Sequence, residues 1–358
     1  MTNISKADIL VPGKSNAITY DHFNIKGVSM GKRFNLNKYS SLSTLFLLLL
    51  LLTGCNKANS PHPPQTLHIP TASSSGALYQ LGDLITTLWT NELDYITANS
   101  YESNGGIENL NQLQQGDANV TFAVTSILYE AYHGIGDFEE KANDKLRIIA
   151  GLYYNPNHVV VSKDTNVKFL SDLKGLPFSP GAIGSTTVKE ATQHFEVLGI
   201  DLSQYCDLVY TGFTESIELL KNNKIKGAWI MSGIPNLAVS QMTSEAGAHL
   251  LSISDLTISK LQQDYPWYVK YIIPAGTYEN QDTDITTSAV KLALCTTTDL
   301  DEQTVYDLTK TLWEHMDALK DNNTTLRSVS LEGAVTDLAG LPLHEGAIKY
   351  YKERGIIK

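Results

Sequence analysis

From Leu67 to the C-terminus, short runs rich in β-branched and aromatic residues alternate with stretches whose apolar residues recur every three or four positions. That rhythm predicts an α/β fold, because a strand repeats every two residues and a helix every 3.6. Strands are expected at 67–70, 95–101, 120–123, 146–153, 158–162, 208–211, 228–231 and 250–253. Between them Ile107, Leu110 and Leu113, and again Val188, Ala191, Phe195 and Leu198, have helical spacing and would bury one face on a sheet. Val305, Leu308, Leu312, Met316 and Leu319 mark one long amphipathic helix, with Asp299 or Asp301 as its cap. Regular alternation of this kind argues for mainly parallel sheets with helices on both faces.

Ahead of this body, Lys32, Arg33 and Lys38 precede a run of leucines from Leu45 to Leu52 that stops at Thr53-Gly54-Cys55. The run is far shorter than the ~20 residues that span a bilayer, so it is expected to be a signal peptide. Leu52-Thr53-Gly54-Cys55 resembles the bacterial lipoprotein signal, which implies cleavage before Cys55 and a lipid on that cysteine. Residues 1–29 show no periodic pattern, and translation is expected to start at Met30, making 30–54 the signal. Residues 55–65 hold Pro61, Pro63 and Pro64 among polar side chains and should form an extended tether. The remaining ~290 residues suffice for two lobes.

Residues 1–55 carry six of the 27 cations and two of the 38 anions, which leaves the mature part at a net −15. Nucleic acid is an improbable partner, because neutralising phosphates requires a basic surface. With Cys55 lipidated, Cys206 and Cys295 remain, to pair in an oxidising compartment or to stay as two buried thiols.

Open α/β sheets bind ligands beyond the carboxyl ends of their strands, where helix N-termini offer unpaired N–H donors. Five strand-to-helix junctions here are small and hydroxyl-rich. They are Ser73-Ser74-Ser75-Gly76, Ser103-Asn104-Gly105-Gly106, Thr125-Ser126, Gly181-Ala182-Ile183-Gly184-Ser185-Thr186-Thr187, and Ser232-Gly233-Ile234-Pro235, with Pro235 placed for a first helical turn. Each alone also fits a plain capped helix start. Catalytic signals are thin: no histidine pair has metal-ligand spacing and no nucleophile elbow surrounds a serine. His158, His194 and His344 stand singly and read as surface or satisfied core histidines, and Asp282 and Asp284 as a solvated pair. The chain is therefore not expected to be an enzyme, and no cofactor or metal is expected.

In this order the junctions resemble the TAXI family of solute-binding proteins from TRAP (tripartite ATP-independent periplasmic) transporters. The likeness runs from about Leu67 to Ile356. Segments that carry it include Gly76-Ala77-Leu78-Tyr79-Gln80-Leu81-Gly82, Asn104-Gly105-Gly106-Ile107-Glu108-Asn109-Leu110, Leu113-Gln114-Gln115-Gly116-Asp117-Ala118, Ser171-Asp172-Leu173-Lys174-Gly175 and Gly184-Ser185-Thr186-Thr187. Others are Tyr265-Pro266-Trp267-Tyr268, Ile273-Pro274-Ala275-Gly276-Thr277-Tyr278 and Leu343-His344-Glu345-Gly346-Ala347. One departure is that Ser73, Ser74 and Ser75 replace part of a loop that is usually glycine-rich in the family.

The resemblance implies a two-lobed type II periplasmic-binding-protein fold, with 66–156 plus 299–358 as one lobe and 157–298 as the other. Crossing strands are placed near 155–161 and 286–298. It implies a monomeric, exported receptor that passes a small-molecule solute, a carboxylate such as glutamate or 2-oxoglutarate, to a fused TRAP membrane subunit. Arg147, Arg327 and Arg354 lie outside the junction loops, so a carboxylate would rest on helix starts and on the hydroxyls of Ser73 to Ser75, Thr125, Ser126 and Ser185 to Thr187. Tyr79, Tyr210 and Tyr268 would wall its apolar part. The alternatives are the receptor of an ATP-driven uptake system, a ligand-sensing lipoprotein, and, more distantly, an exported hydrolase.

Overall fold

Leu67 and Ile69 alternate with exposed His68 along β1 (Gln65–Pro70), so one face of this strand meets the core and the other meets water. The computed structural model describes residues 62–72 and 77–358. The expected signal peptide, the start at Met30, the lipidated Cys55 and the loop of Ser73, Ser74, Ser75 and Gly76 lie outside the described residues.

After β1, α1 (Ala77–Glu92) buries Leu81, Ile85 and Trp89 at four-residue spacing, and Trp89 Nε1 donates to Leu308 O at 3.0 Å. β2 (Ile96–Tyr101) runs parallel to β1. α2 (Gly106–Gln115) is followed by β3 (Val120–Val124), which passes without a linker into α3 (Thr125–His133). Asn119 N donates to His68 O at 3.0 Å, and Thr121 Oγ1 donates to Pro70 O at 2.8 Å, which holds β1 beside β3.

The next strand, β4 (Leu146–Val161), is continuous where two separate strands are expected. Beyond it come β5 (Pro177–Ser179), α4 (Thr186–Glu196), α5 (Leu202–Tyr205), β6 (Asp207–Leu208), α6 (Phe213–Lys221) and β7 (Gly227–Met231). α7 (Leu237–Ala246), β8 (His249–Leu251), α8 (Asp255–Asp264), β9 (Val269–Ile273) and β10 (Ile285–Thr297) follow. The chain ends with α9 (Glu302–Glu314), α10 (Met316–Asn322) and α11 (Glu345–Glu353).

β4 and β10 are the two crossing strands. β10 pairs antiparallel with β4 as far as Ala289 and Pro156, and beyond that point each strand takes new partners: β4 joins β7 and β8, and β10 joins β9. The sheets are therefore mixed, which corrects the expectation of mainly parallel ones. Parallel pairing is confined to β1 with β2 and to β5 with β6 and β7, because one crossing strand leaves the first lobe while the other returns to it. In the second lobe, Val159 and Val161 pack with Phe178 and Trp229 on one face of the sheet, and Val160 packs with Ala228 and Ile230 on the other. A sheet covered on both faces reads as an unbroken apolar run.

Two further expectations are corrected, and one of two open alternatives is decided. The single C-terminal helix is two, broken at His315 (φ −111°, ψ 10°). Pro235 stands before the cap Asn236, whose side chain accepts from Val239 N at 3.1 Å, and so is not in the first turn of α7. Cys206 and Cys295 are unpaired and buried in different cores, Cys206 with Phe178 and Cys295 with Phe122.

Candidate functional site

α3 and α4 meet where the lobes face each other, through Ser126 and Glu130 on one and Lys189 and Glu190 on the other. α3 begins directly at the end of β3 with Val124 as its cap residue, and no side chain fills that cap. Its first two residues are fully buried, and Thr125 Oγ1 accepts the backbone N–H of Lys291 on β10 at 3.1 Å. α4 begins after a turn in which Gly184 adopts φ +75°, a left-handed conformation that glycine takes without strain. Ser185 Oγ then accepts Val188 N at 3.3 Å, so this hydroxyl caps the helix, and Thr187 is buried.

Ser126 is one point of contact between the lobes. Its Oγ donates to Glu190 Oε1 of α4 at 3.2 Å, and Asn157 Nδ2 of β4 donates to Glu190 Oε2 at 2.8 Å. Asn157 also donates to Ser288 Oγ of β10 at 3.1 Å and accepts Trp229 Nε1–H at 2.7 Å. His194, one turn beyond Glu190, bonds Glu190 O through Nδ1 and Ser288 Oγ through Nε2, both at 2.6 Å. Glu190 and His194 are completely buried. Burial pushes the Glu190 carboxyl up to about 8 and the His194 imidazole down to about 3, because the charged form of each would forfeit its hydration.

Beside this network Lys189 Nζ reaches across to Glu130 of α3 at 2.5 Å and to Asp137 at 2.6 Å. Despite its partial burial, bonds from these two carboxylates hold the ammonium above its ordinary value. Lys189 is thus already neutralised and is a poor anchor for a bound anion.

A cleft of about 720 Å³ has a lining that includes none of these network residues. Tyr79, Leu84 and Asp83 of α1 face Pro235 and Leu237 across it, and Asn322, Asn323, Thr324 and Thr325 close one end. Gly233 packs against β4: a Cβ there would stand 3.1 Å from the Tyr153 ring and 3.6 Å from Asn155 Oδ1, so a larger residue would need the ring to give by a few tenths of an ångström.

The other sequence-derived residues are placed differently. Asn104 donates through N and Nδ2 to Glu108, at 3.0 and 2.6 Å, and Gly105 (φ +97°) caps α2. Tyr210 is 43% exposed after β6. Tyr268 is buried, donates its hydroxyl to Gln193 Oε1 at 2.6 Å, and sets its ring edge-on to His194, so it backs the network and does not wall an open cavity. Asp284 Oδ1 accepts Ala275 N at 2.8 Å, which gives this exposed carboxylate a turn-holding role.

Sequence reasoning missed Glu190, Asn157, His194, Trp229, Ser288 and the 322–325 segment. A signal for two of them was present. Glu190 and His194 share the buried stripe of α4 with Thr187 and Ala191, and ionisable residues on an apolar face mark an unusual environment.

Two α/β lobes joined by crossing strands, with α3 and α4 meeting between them, define the type II periplasmic-binding-protein fold. The chain belongs to the NMT1-like family, whose model matches residues 69–355. Among solved structures it is similar to PhnD1 from Prochlorococcus marinus (MIT 9301) in complex with methylphosphonate, at 12% identity and a TM-score of 0.51, covering 82% of this chain and 100% of that one. It is also similar to the periplasmic aliphatic sulphonate binding protein SsuA from Escherichia coli, at 13% identity and a TM-score of 0.46, covering 81% and 83%.

Proposed function

We propose that this chain is an extracytoplasmic receptor that captures a small solute between its lobes and delivers it to a fused TRAP-type membrane subunit driven by an ion gradient. In this reading it is a monomer held at the membrane by a lipid on Cys55. The observation that carries the reading is the meeting of α3 and α4 beside the crossing strands, since a hinge there opens and closes the space between them. The solute is a small carboxylate such as glutamate or 2-oxoglutarate. The uncapped first turn of α3 supports this, because its N–H groups and dipole favour an anion, while Lys189 is occupied by Glu130 and Asp137.

Native mass spectrometry of the purified protein, followed by calorimetry with glutamate and with 2-oxoglutarate, tests the reading. A co-purified carboxylate that rebinds after removal is the expected result. A co-purified sugar or cation, or no heat with either acid, overturns the choice of solute. Uptake that persists unchanged when the gene is deleted removes the transport role.

A further inference from the structure

Glu190 occupies an unusual place: a carboxyl with no solvent exposure, at the seam between two moving bodies. Its carboxyl accepts from Ser126 and Asn157, and the network they belong to draws on both sides of that seam. Asn157, Ser288, Trp229 and His194 belong to the second lobe or to the crossing strands at the point where their pairing changes, whereas Ser126 belongs to the first lobe. A rotation about the crossing strands would draw Ser126 away from the carboxyl and let water reach it.

The one cation acting on Glu190 among the described residues is Lys189, whose charge opposes the upward shift but whose bonds go to Glu130 and Asp137. From α3 comes Glu130, itself an anion, which together with Asp137 of the turn Gly136–Phe138 draws Lys189 toward the first lobe. From α4 comes His194, held neutral by burial. From the segment ahead of β9 comes Tyr268, a neutral phenol kept well above its ordinary value by burial and by the neighbouring Glu190. β4, β7 and β10 present Asn157, Trp229 and Ser288, none of which titrates, and His158 of β4 bonds Ile230 O and Tyr278 instead. An ionised carboxyl would sit here with no cation bonded to it, at a cost that protonation avoids.

We propose that Glu190 is a proton-binding site that couples closure of the lobes to pH, the closed form holding the proton and the open form releasing it to water. In the closed form the proton is on Oε1 and is donated across the seam to Ser126 Oγ, with the serine hydroxyl reversing its role. On opening, the proton leaves for solvent and the carboxylate is hydrated. Acid therefore favours closure, and the closure equilibrium falls by up to about tenfold per pH unit between the ordinary carboxyl range and the closed-form value, then levels off. The coupling concerns the hinge and is independent of which solute is captured.

The test uses the ligand-free protein, so its failure is separate from any failure of the receptor reading. Small-angle X-ray scattering is recorded from about pH 6 to about pH 9, with infrared difference spectra of the carboxyl region over the same range. The expected result is a radius of gyration that grows with rising pH, in step with loss of the protonated-carboxyl band. In Glu190→Gln both responses disappear and the protein stays compact. Ser126→Ala keeps the acid but removes its partner across the seam, and is expected to be more open than wild type at the acid end. A wild-type profile that is flat in both measurements overturns the proposal, as does a Glu190→Gln protein that still opens with pH. Should Glu190→Gln fail to fold, the wild-type infrared band decides: its absence at the acid end refutes the proposal, and its loss in step with opening supports it.

Discussion

Ser185 shows how one hydroxyl limits what a substitution can report. Because its Oγ accepts Val188 N, Ser185→Ala is expected to lower stability by about 1 kcal/mol through the lost cap, whatever it does to a ligand. The double variant Ser185→Ala with Thr186→Val is expected to weaken carboxylate binding by about tenfold or more. Calorimetry beside a thermal melt separates the two effects, and unchanged affinity removes both residues from the site. The cysteines make a cleaner case. Cys206 and Cys295 lie in separate cores, their thiols donate to Leu173 O and Thr121 O, and burial pushes the Cys206 thiol up to about 11. Neither should react with a disulfide reagent in the native protein, and both should react in denaturant. Reaction before unfolding would contradict the burial of both thiols.

At the scale of elements, caps and close approaches decide where helices start and how they pack. Asp301 is the cap of α9: it accepts Thr304 N at 2.9 Å and Thr304 Oγ1 at 2.5 Å. Despite partial burial, these bonds and one from Gln65 hold its carboxyl below the ordinary range. The stabilisation is therefore present above that range and is lost as pH falls through the lowered value. Asp301→Ala should cost about 1 kcal/mol near neutral pH and nothing in strong acid, which denaturant titrations at two pH values will check. Gly346 lies where α11 crosses α9, and a Cβ there would stand 2.2 Å from Glu302 O and 2.6 Å from Tyr306 N. Backbone cannot yield as a side-chain tip can, so Gly346→Ala should destabilise by roughly 1–3 kcal/mol. The break between α9 and α10 has no glycine or proline behind it. Thr311 O accepts His315 N and meets the His315 ring nitrogen, and those two bonds to one carbonyl accompany the turn that leaves helical geometry.

For the molecule as a whole, the balance between open and closed rests on few cross-lobe contacts. Lys189→Met removes the ion pairs with Glu130 and Asp137 and leaves the buried Glu130 without its cation. It should shift the protein toward the open form, seen as a larger radius of gyration at neutral pH; an unchanged radius would show that the pairs do not govern opening. Stability should also have a maximum in pH. The buried Glu190 keeps a proton that the unfolded chain releases, so stability falls as pH rises from the ordinary carboxyl range to about 8. The buried His194 refuses a proton that the unfolded chain accepts, so stability falls as pH drops from the ordinary histidine value toward about 3. Loss of the alkaline decline in Glu190→Gln, measured by denaturant unfolding, would assign that limb.

Local pattern determined a good deal: β1, β2, β3, β7 and the helices α2 and α4 follow from periodicities carried by neighbouring residues, as Val188, Ala191 and Phe195 illustrate. The class of fold was likewise readable, because alternating strands and helices leave few ways to cover a sheet. What lay beyond it were the properties that depend on distant partners. Pro156, in the gap between two expected strands, is tolerated inside the continuous β4 because the pairing of β4 changes there and no ladder N–H is required of it. The candidate site followed the same division, since its hydroxyls and helix starts are local features, whereas Glu190 becomes a buried acid only through Ser126, 64 residues away, and through Asn157, itself bonded to Ser288 at a separation of 131. Only the tertiary fold brings those groups together, and desolvation, which sets their chemistry, does not exist until it has formed.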